Sequence, residues 1–327
     1  MHPAEPPYFT YSRYLRERHG CTVYRVAVDA GFGCPHRSGG RSGSGCTFCG
    51  EEGARAPYQE ACVQPYIPSH AVSALPHDAE SLAPQVSNAV SFLKRRYAAE
   101  AFILFFQAYS NTHAPVQTLQ RVYDAGLALA PFKGLNVATR PDCIDAKKAD
   151  LLASYQDRGL DVWVELGLQS AHDETLRRIG RGHTTADFLA AHRLLTDRGL
   201  KVAIHLIFGL PGEGASELSA TARWVAALRP DGVKIHNLHV PLATPLAREF
   251  LQGEVTVPAA GRHLDYVISV LELLPPQTVI MRLTCDTPRK RLAAPRTFPP
   301  KQVFMTLLTR EMRARGARQG RLYQPGP

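Results

Sequence analysis

The segment Asp161-Val-Trp-Val-Glu-Leu-Gly-Leu-Gln169 reads as a β-strand with two unlike faces. Successive side chains in a strand point to opposite sides, so Val162, Val164, Leu166 and Leu168 form one face and Trp163, Glu165, Gly167 and Gln169 the other. The same split recurs along the chain. Val202, Ile204, Leu206 and Phe208 lie opposite His205, and Val233 and Ile235 oppose Lys234 and His236. Leu135 and Val137 oppose Asn136 and Arg140, and Tyr24, Val26 and Val28 oppose Arg25 and Asp29. A parallel sheet sandwiched between two helical layers is apolar on both faces. One greasy face and one mixed polar face predict a barrel wall instead, with helices outside and a ligand-holding lumen inside.

Working outward, strand-like runs stand at residues 23–29, 101–107, 134–140, 161–169, 201–208 and 231–240, and 278–283 adds a last candidate. Helical patterns fall between them at 82–97, 116–129, 145–157, 185–197 and 216–228. A strand every 30 to 40 residues is the rhythm of repeated βα units around a parallel sheet. The expected fold is α/β, a partial (βα)6-type TIM barrel with a polar lumen. It is expected to occupy residues 1–280, with residues 281–327 as a small basic C-terminal extension. Proline-rich stretches at 65–76, 275–276 and 295–300 mark loops or linkers.

Composition narrows the class. At 327 residues, 45% hydrophobic and 20% charged, the chain is ordinary globular protein rather than a disordered one. No apolar run reaches the roughly 18 residues a membrane span needs. The first eight residues lack the apolar core of a secretory signal. Seven cysteines, an odd number, do not suggest a secreted disulfide framework. These features together predict a cytoplasmic protein. The formal net charge is +9, and residues 281–327 alone carry eleven Lys or Arg against Asp286 and Glu311. A localised basic excess beside a neutral body is the electrostatic footprint of a phosphate-rich partner; a solvated helix face with a frayed end is the alternative.

The chemistry is written in Gly31-Phe-Gly-Cys-Pro-His-Arg-Ser-Gly-Gly-Arg-Ser-Gly-Ser-Gly-Cys-Thr-Phe-Cys49, directly after the first strand. Cys34, Cys46 and Cys49 are spaced C-x11-C-x2-C. Thiolates are the soft ligands of iron–sulfur clusters and of zinc. Three ligands on a four-iron cluster leave one iron open for an external molecule. The six glycines of residues 31–45 let backbone wrap a ligand closely. Zinc held by the three cysteines and His36 competes, although structural zinc sites usually present two paired knuckles. A redox C-x2-C would have no use for the third cysteine. Cys21, Cys62, Cys143 and Cys285 are scattered and read as packing residues. His236 and His239, three apart on one strand, would point to opposite faces.

This loop, with Phe48 before the last cysteine and a βα barrel behind it, resembles the radical S-adenosylmethionine (radical SAM) superfamily. Glu165-Leu-Gly-Leu-Gln-Ser170, Arg178-Ile-Gly-Arg-Gly-His-Thr184, Ala138-Thr-Arg-Pro-Asp142 and Phe208-Gly-Leu-Pro-Gly-Glu213 are similar to blocks of oxygen-independent coproporphyrinogen oxidase and the Elongator catalytic subunit. Cys-Pro-His-Arg37 and the ending at Gln319-Gly320 resemble the short subfamily typified by YhcC and YtqA. The resemblance implies a [4Fe–4S] cluster on Cys34, Cys46 and Cys49 that chelates the amino and carboxylate groups of SAM. It implies Phe48 beside the adenine, Gln169 on the ribose, Arg181 on the SAM carboxylate, Ile207 near the adenine, and Arg140 at the cofactor. The Gly-Gly-Glu frequent after the second strand is replaced by Gln107-Ala-Tyr-Ser-Asn111, so Gln107, Ser110 or Asn111 takes the place of the amine ligand. Glu165, His205, Lys234 and His236 are the substrate-contact candidates.

The implied reaction is reductive cleavage of SAM to a 5′-deoxyadenosyl radical that takes hydrogen from a substrate in the lumen. The Elongator likeness and the basic tail favour tRNA, at a wobble-uridine side chain, with a flavodoxin or ferredoxin as electron donor. Too few residues follow the barrel for Elongator's acetyltransferase domain, so acetyl-CoA is not required as second substrate. Radical chemistry on a porphyrin-like small molecule, or a non-catalytic zinc-stabilised RNA-binding protein, are the alternatives.

Overall fold

The computed structural model describes residues 5–37, 45–50, 81–285 and 287–325. The 65–76 proline stretch, Cys62, Asp286 and residues 38–44 of the glycine-rich loop lie outside the described residues. The chain runs α1 (Tyr11–His19), β1 (Val23–Val28), α2 (Leu82–Tyr97), β2 (Ala101–Phe106), α3 (Val116–Ala128), β3 (Phe132–Thr139), α4 (Ala146–Asp157) and β4 (Asp161–Gln169). It continues through α5 (Asp173–Arg178), α6 (Thr185–Thr196), β5 (Lys201–Phe208), α7 (Ala215–Ala227), β6 (Gly232–Asn237), β7 (Val240–Pro241) and α8 (Pro245–Leu251). The last elements are α9 (Ala260–Leu273), β8 (Val279–Arg282), β9 (Leu292–Ala294) and α10 (Lys301–Ala314).

Among the described residues, seven strands pair in the order β1-β2-β3-β4-β5-β6-β8, all parallel, while β7 and β9 form a small antiparallel ribbon. Side-chain contacts between strands that are not neighbours show that the sheet is curled. Arg25 on β1 donates to Glu165 on β4 at 2.6 Å, and Lys234 on β6 reaches the same carboxylate at 2.5 Å. This is the partial barrel, with β8 as a seventh strand. The edges β1 and β8 do not pair with each other. Ahead of α1, the Phe9 carbonyl accepts from the Ile280 N–H at 2.7 Å, and α1 turns Tyr11 and Leu15 inward to stop the gap.

The two-residue alternation is realised on every strand. Val26, Leu104, Val137, Val164, Ile204 and Val233 point outward into one large core shared with α2, α3, α4, α6, α7 and α9. Fully burying one such side chain contributes about 1.5–3 kcal/mol, so the outer face fixes the register that points the polar residues inward. The lumen is layered. At the N-terminal ends of the strands Trp163, Ile103, Ala203 and Met281 pack on Tyr11. There Asp161 accepts from Tyr14 at 3.0 Å and Lys201 at 2.7 Å. Ionisable residues form the layer above.

The run 231–240 does not stay one strand. β6 ends at Asn237, the Leu238 N–H turns to the Phe208 carbonyl at 2.9 Å, and Val240 enters the separate ribbon. His239 therefore leaves the sheet rather than facing its outer side. The basic stretch from 281 onward begins inside β8, and α10 buries Phe304, Leu308 and Met312 in the main core. Among the described residues, no helix is long and apolar enough to cross a membrane.

Candidate active site

The three cysteines gather at the C-terminal ends of the strands, around a cavity of about 230 Å³. Cys34 leaves β1 after the buried Phe32. Cys46 and Cys49 form one turn, closed by the Cys49 N–H donating to the Cys46 carbonyl at 2.9 Å. The knuckle is fixed from two sides. The Thr47 N–H bonds the Ile179 carbonyl at 2.9 Å, and Phe48 packs on Ile207, Leu238, Val240 and Leu246. Arg37 ties the turn down, donating to the Cys49 sulfur at 3.1 Å and to the Cys49 and Gly50 carbonyls at 3.0 and 2.7 Å.

Cationic groups surround Cys46. Arg140 and Arg181 donate to its sulfur at 3.7 and 3.6 Å. Burial disfavours the Cys46 thiolate, but these two guanidinium groups outweigh it and hold the thiol below its ordinary value. That is the setting a metal-binding thiolate needs. Burial raises the Cys49 thiol despite Arg37. Among the described residues, no three His, Cys, Asp or Glu side chains converge as ligands of a single ion. His36, the fourth ligand of the zinc alternative, pairs with Asp142 at 2.9 Å.

One wall of the cavity has the shape of a cradle. Gly167 has no side chain where a Cβ would stand 2.5 Å from Arg181 Nη2 and 2.8 Å from Gln169 Nε2. Arg181 is held there by the Gly167 carbonyl at 3.0 Å, while its Nε is buried without a partner. Gln169 ends β4 in the left-handed region at φ 77°, where the register with β5 slips. A non-glycine residue in this conformation is costly and persists only where the surrounding structure over-determines it. An orphaned buried guanidinium N–H on a side chain that lines the cavity fits a bound carboxylate, and three thiols with cationic neighbours fit an anionic iron–sulfur cluster.

Phe48, Gln107, Ser110, Arg140, Gln169, Arg181 and Ile207 line this cavity together with all three cysteines. Asn111 does not. Its amide is buried and donates to the Phe106 and Ala138 carbonyls at 3.0 and 2.9 Å, bracing β2 against β3. Glu165, His205, Lys234 and His236 line the deeper half. Glu165 is fully buried; burial works against its charge, but Lys234, Arg25 and His205 outweigh that and hold it ionised, well below the usual range. Lys234 is pushed down to about 7, by burial first. Burial, with Lys234 nearby, lowers His205 to about 4. Neutral His205 donates Nε2–H to ionised Glu165 at 2.8 Å, which leaves Nδ1 as an acceptor. Burial and Arg282 keep His236 neutral. Arg37, Tyr109, Thr139 and Arg25 complete the site and were not singled out from sequence. Arg25 already stood on the polar face of its strand, and Arg37 three residues after Cys34.

Residues 30–225 match the Radical SAM superfamily, and residues 230–314 its C-terminal domain. The chain belongs to the radical SAM superfamily. It is 35% identical to protein YhcC of Escherichia coli strain K12, over 95% of this chain and 94% of that one. It is 30% identical to the tRNA uridine(34) acetyltransferase of Dehalococcoides mccartyi, over 49% of this chain and 35% of that one. Archaeal Elp3 of Methanocaldococcus infernus, solved with an N-terminal deletion, shares the fold at a TM-score of 0.65 and 20% identity, covering 73% of this chain and 60% of that one. This radical SAM protein is accordingly an enzyme whose cofactors are a [4Fe–4S] cluster and SAM.

Proposed function

We propose that this radical SAM enzyme modifies tRNA by remodelling a wobble-uridine side chain. The observation that carries the reading is the likeness to a protein named for uridine(34) of tRNA, beside a basic excess confined to one part of the chain. In this reading Cys34, Cys46 and Cys49 hold the cluster, and Arg181 takes the SAM carboxylate into the Gly167 cradle. Gln169 and Phe48 orient the nucleoside, and Gln107 or Ser110 receives the amine. With its cofactors bound the site supplies a 5′-deoxyadenosyl radical that removes a hydrogen atom from substrate.

The remaining work belongs to the chain. Phe48 packs against the buried apolar cluster that holds Ile207 and Leu238 and so fixes the knuckle at the cavity. Glu165, clamped by Arg25 and Lys234, stays ionised and immobile, so it orients His205 instead of exchanging protons. His205 Nδ1 and Lys234 then present one acceptor and one titratable donor to a polar substrate group. A flavodoxin or ferredoxin is the proposed source of the electron. Mass spectrometry of tRNA nucleosides from a deletion strain and its parent tests the reading. Loss or truncation of one wobble-uridine modification supports it. An unchanged nucleoside profile rejects it and turns attention to a small-molecule substrate.

A further inference from the structure

The C-terminal basic excess is divided between the two ends of the barrel. Toward the far end, two arginines that follow α10 are paired within the fold. Arg315 pairs with Asp265 at 2.8 Å and Glu311 at 2.9 Å, and Arg321 pairs with Glu272. This segment is anchored by Gln319, whose amide donates to the Thr278 carbonyl at 2.8 Å and the Pro275 carbonyl at 2.7 Å. Both carbonyls lie just before β8, at the end opposite the cysteines.

The other part is built differently. Arg289–Arg291 forms a single 3-10 turn immediately before β9 and buries none of its residues. Residues 287–296 hold Arg289, Lys290, Arg291 and Arg296 with no acidic residue among them. The turn is fastened to the cysteine end of the barrel. The Leu242 N–H donates to the Arg291 carbonyl at 2.8 Å, and Pro241 and Val240 pair with Leu292 and Ala294. Val240 and Ala294 share a buried cluster against which Phe48 packs. A Cβ on Gly50, the residue after Cys49, would stand 3.4 Å from Pro241.

We infer that Arg289 and Lys290 of this turn form a phosphate-docking point that holds the RNA backbone beside the mouth of the radical site. At three residues per turn the Arg289 and Lys290 side chains point in different directions. They cannot close on one small anion, but they suit a run of backbone phosphates. This inference rests on the tRNA reading and adds to it where the RNA is gripped.

The test uses anaerobically reconstituted full-length protein and an unmodified tRNA transcript, with binding followed by fluorescence anisotropy from 50 to 300 mM salt. Arg289→Ala/Lys290→Ala is expected to weaken binding ~10-fold and to flatten the log Kd against log salt slope by about 1 to 2, as loss of two phosphate contacts requires. Arg315→Ala/Arg321→Ala is expected to change affinity less than about two-fold, because those cations are already paired. Brown absorbance and melting temperature check that each variant folds. Arg289→Lys, which keeps the charge, should keep the slope. If wild type binds tRNA and the Arg289→Ala/Lys290→Ala protein binds it equally well with an unchanged slope, the docking point is refuted while the tRNA reading stands. If wild type shows no salt-dependent tRNA binding, both fail. If RNA binding is unaffected but electron delivery from flavodoxin is lost, the turn serves an acidic protein and the inference is overturned.

Discussion

Gly167→Ala isolates the cradle from the rest of the site. The added methyl would stand 2.5 Å from Arg181 Nη2 and 2.8 Å from Gln169 Nε2, but an ordinary 3.4 Å from the Thr139 carbonyl. Only two side-chain ends must move, so the strand survives, and alanine costs less chain entropy than glycine within it. Displacing the guanidinium breaks its 3.0 Å bond to the Gly167 carbonyl and withdraws it from the position proposed for the SAM carboxylate. A hydrogen bond to a charged group contributes about 1.5–3 kcal/mol, so SAM affinity should fall ~10- to 100-fold. Anaerobic equilibrium dialysis of SAM against reconstituted protein reads this directly, with iron content and melting temperature near wild type. A dissociation constant within two-fold of wild type, on a protein carrying a full cluster, would refute the assignment of Arg181 and of the cradle.

Glu165→Ala leaves buried Lys234 and half-buried Arg25 without their carboxylate, and breaking a buried pair in this way costs about 3–5 kcal/mol. The melting temperature should drop by many degrees and recover in part when Lys234→Met is added; equal melting of the single variant and wild type would contradict the network. Arg37→Ala removes the bonds to the Cys49 sulfur and to two carbonyls, so iron retained after desalting should fall below that of wild type, while full retention would dismiss Arg37 as an anchor. Burial lowers His263 from 6.5 to about 4. The unfolded chain therefore binds a proton that the folded chain rejects, and stability is lost as pH falls from 6.5 toward 4. At pH 5 this amounts to about 2 kcal/mol. His263→Gln should shrink the melting-temperature difference between pH 7 and 5, and an unaltered difference would exclude His263 as its source.

The lumen was legible because strand alternation is a local property. Once Val162, Val164 and Leu166 must face helices, Glu165 and Gly167 must face inward, and the same rule delivered His205, Lys234 and His236. The partnership of Arg25 with Glu165 was not legible, since it joins β1 to β4 across the lumen and depends on how far the sheet curls. Asn111 misled for a related reason. Its position beside Ser110 suggested the cofactor, but the chain turns between them and its amide is taken up by two backbone carbonyls. His239 was misread because a run of strand-forming residues continues past the point where Leu238 turns to Phe208. The basic tail could be counted from sequence, but not divided. Which arginines are neutralised depends on Asp265 and Glu272 of α9, brought beside them by the packing of Phe304 and Leu308.

The most direct test of the account is anaerobic reconstitution of wild type and of single Cys34→Ala, Cys46→Ala and Cys49→Ala proteins, with iron, visible absorbance and 5′-deoxyadenosine measured after dithionite reduction in the presence of SAM. Wild type is expected to be brown, to hold about four irons per chain and to release 5′-deoxyadenosine, with near-complete loss of that product in each cysteine variant. A colourless wild type holding one divalent ion, or a cysteine variant that still cleaves SAM at the wild-type rate, would contradict it.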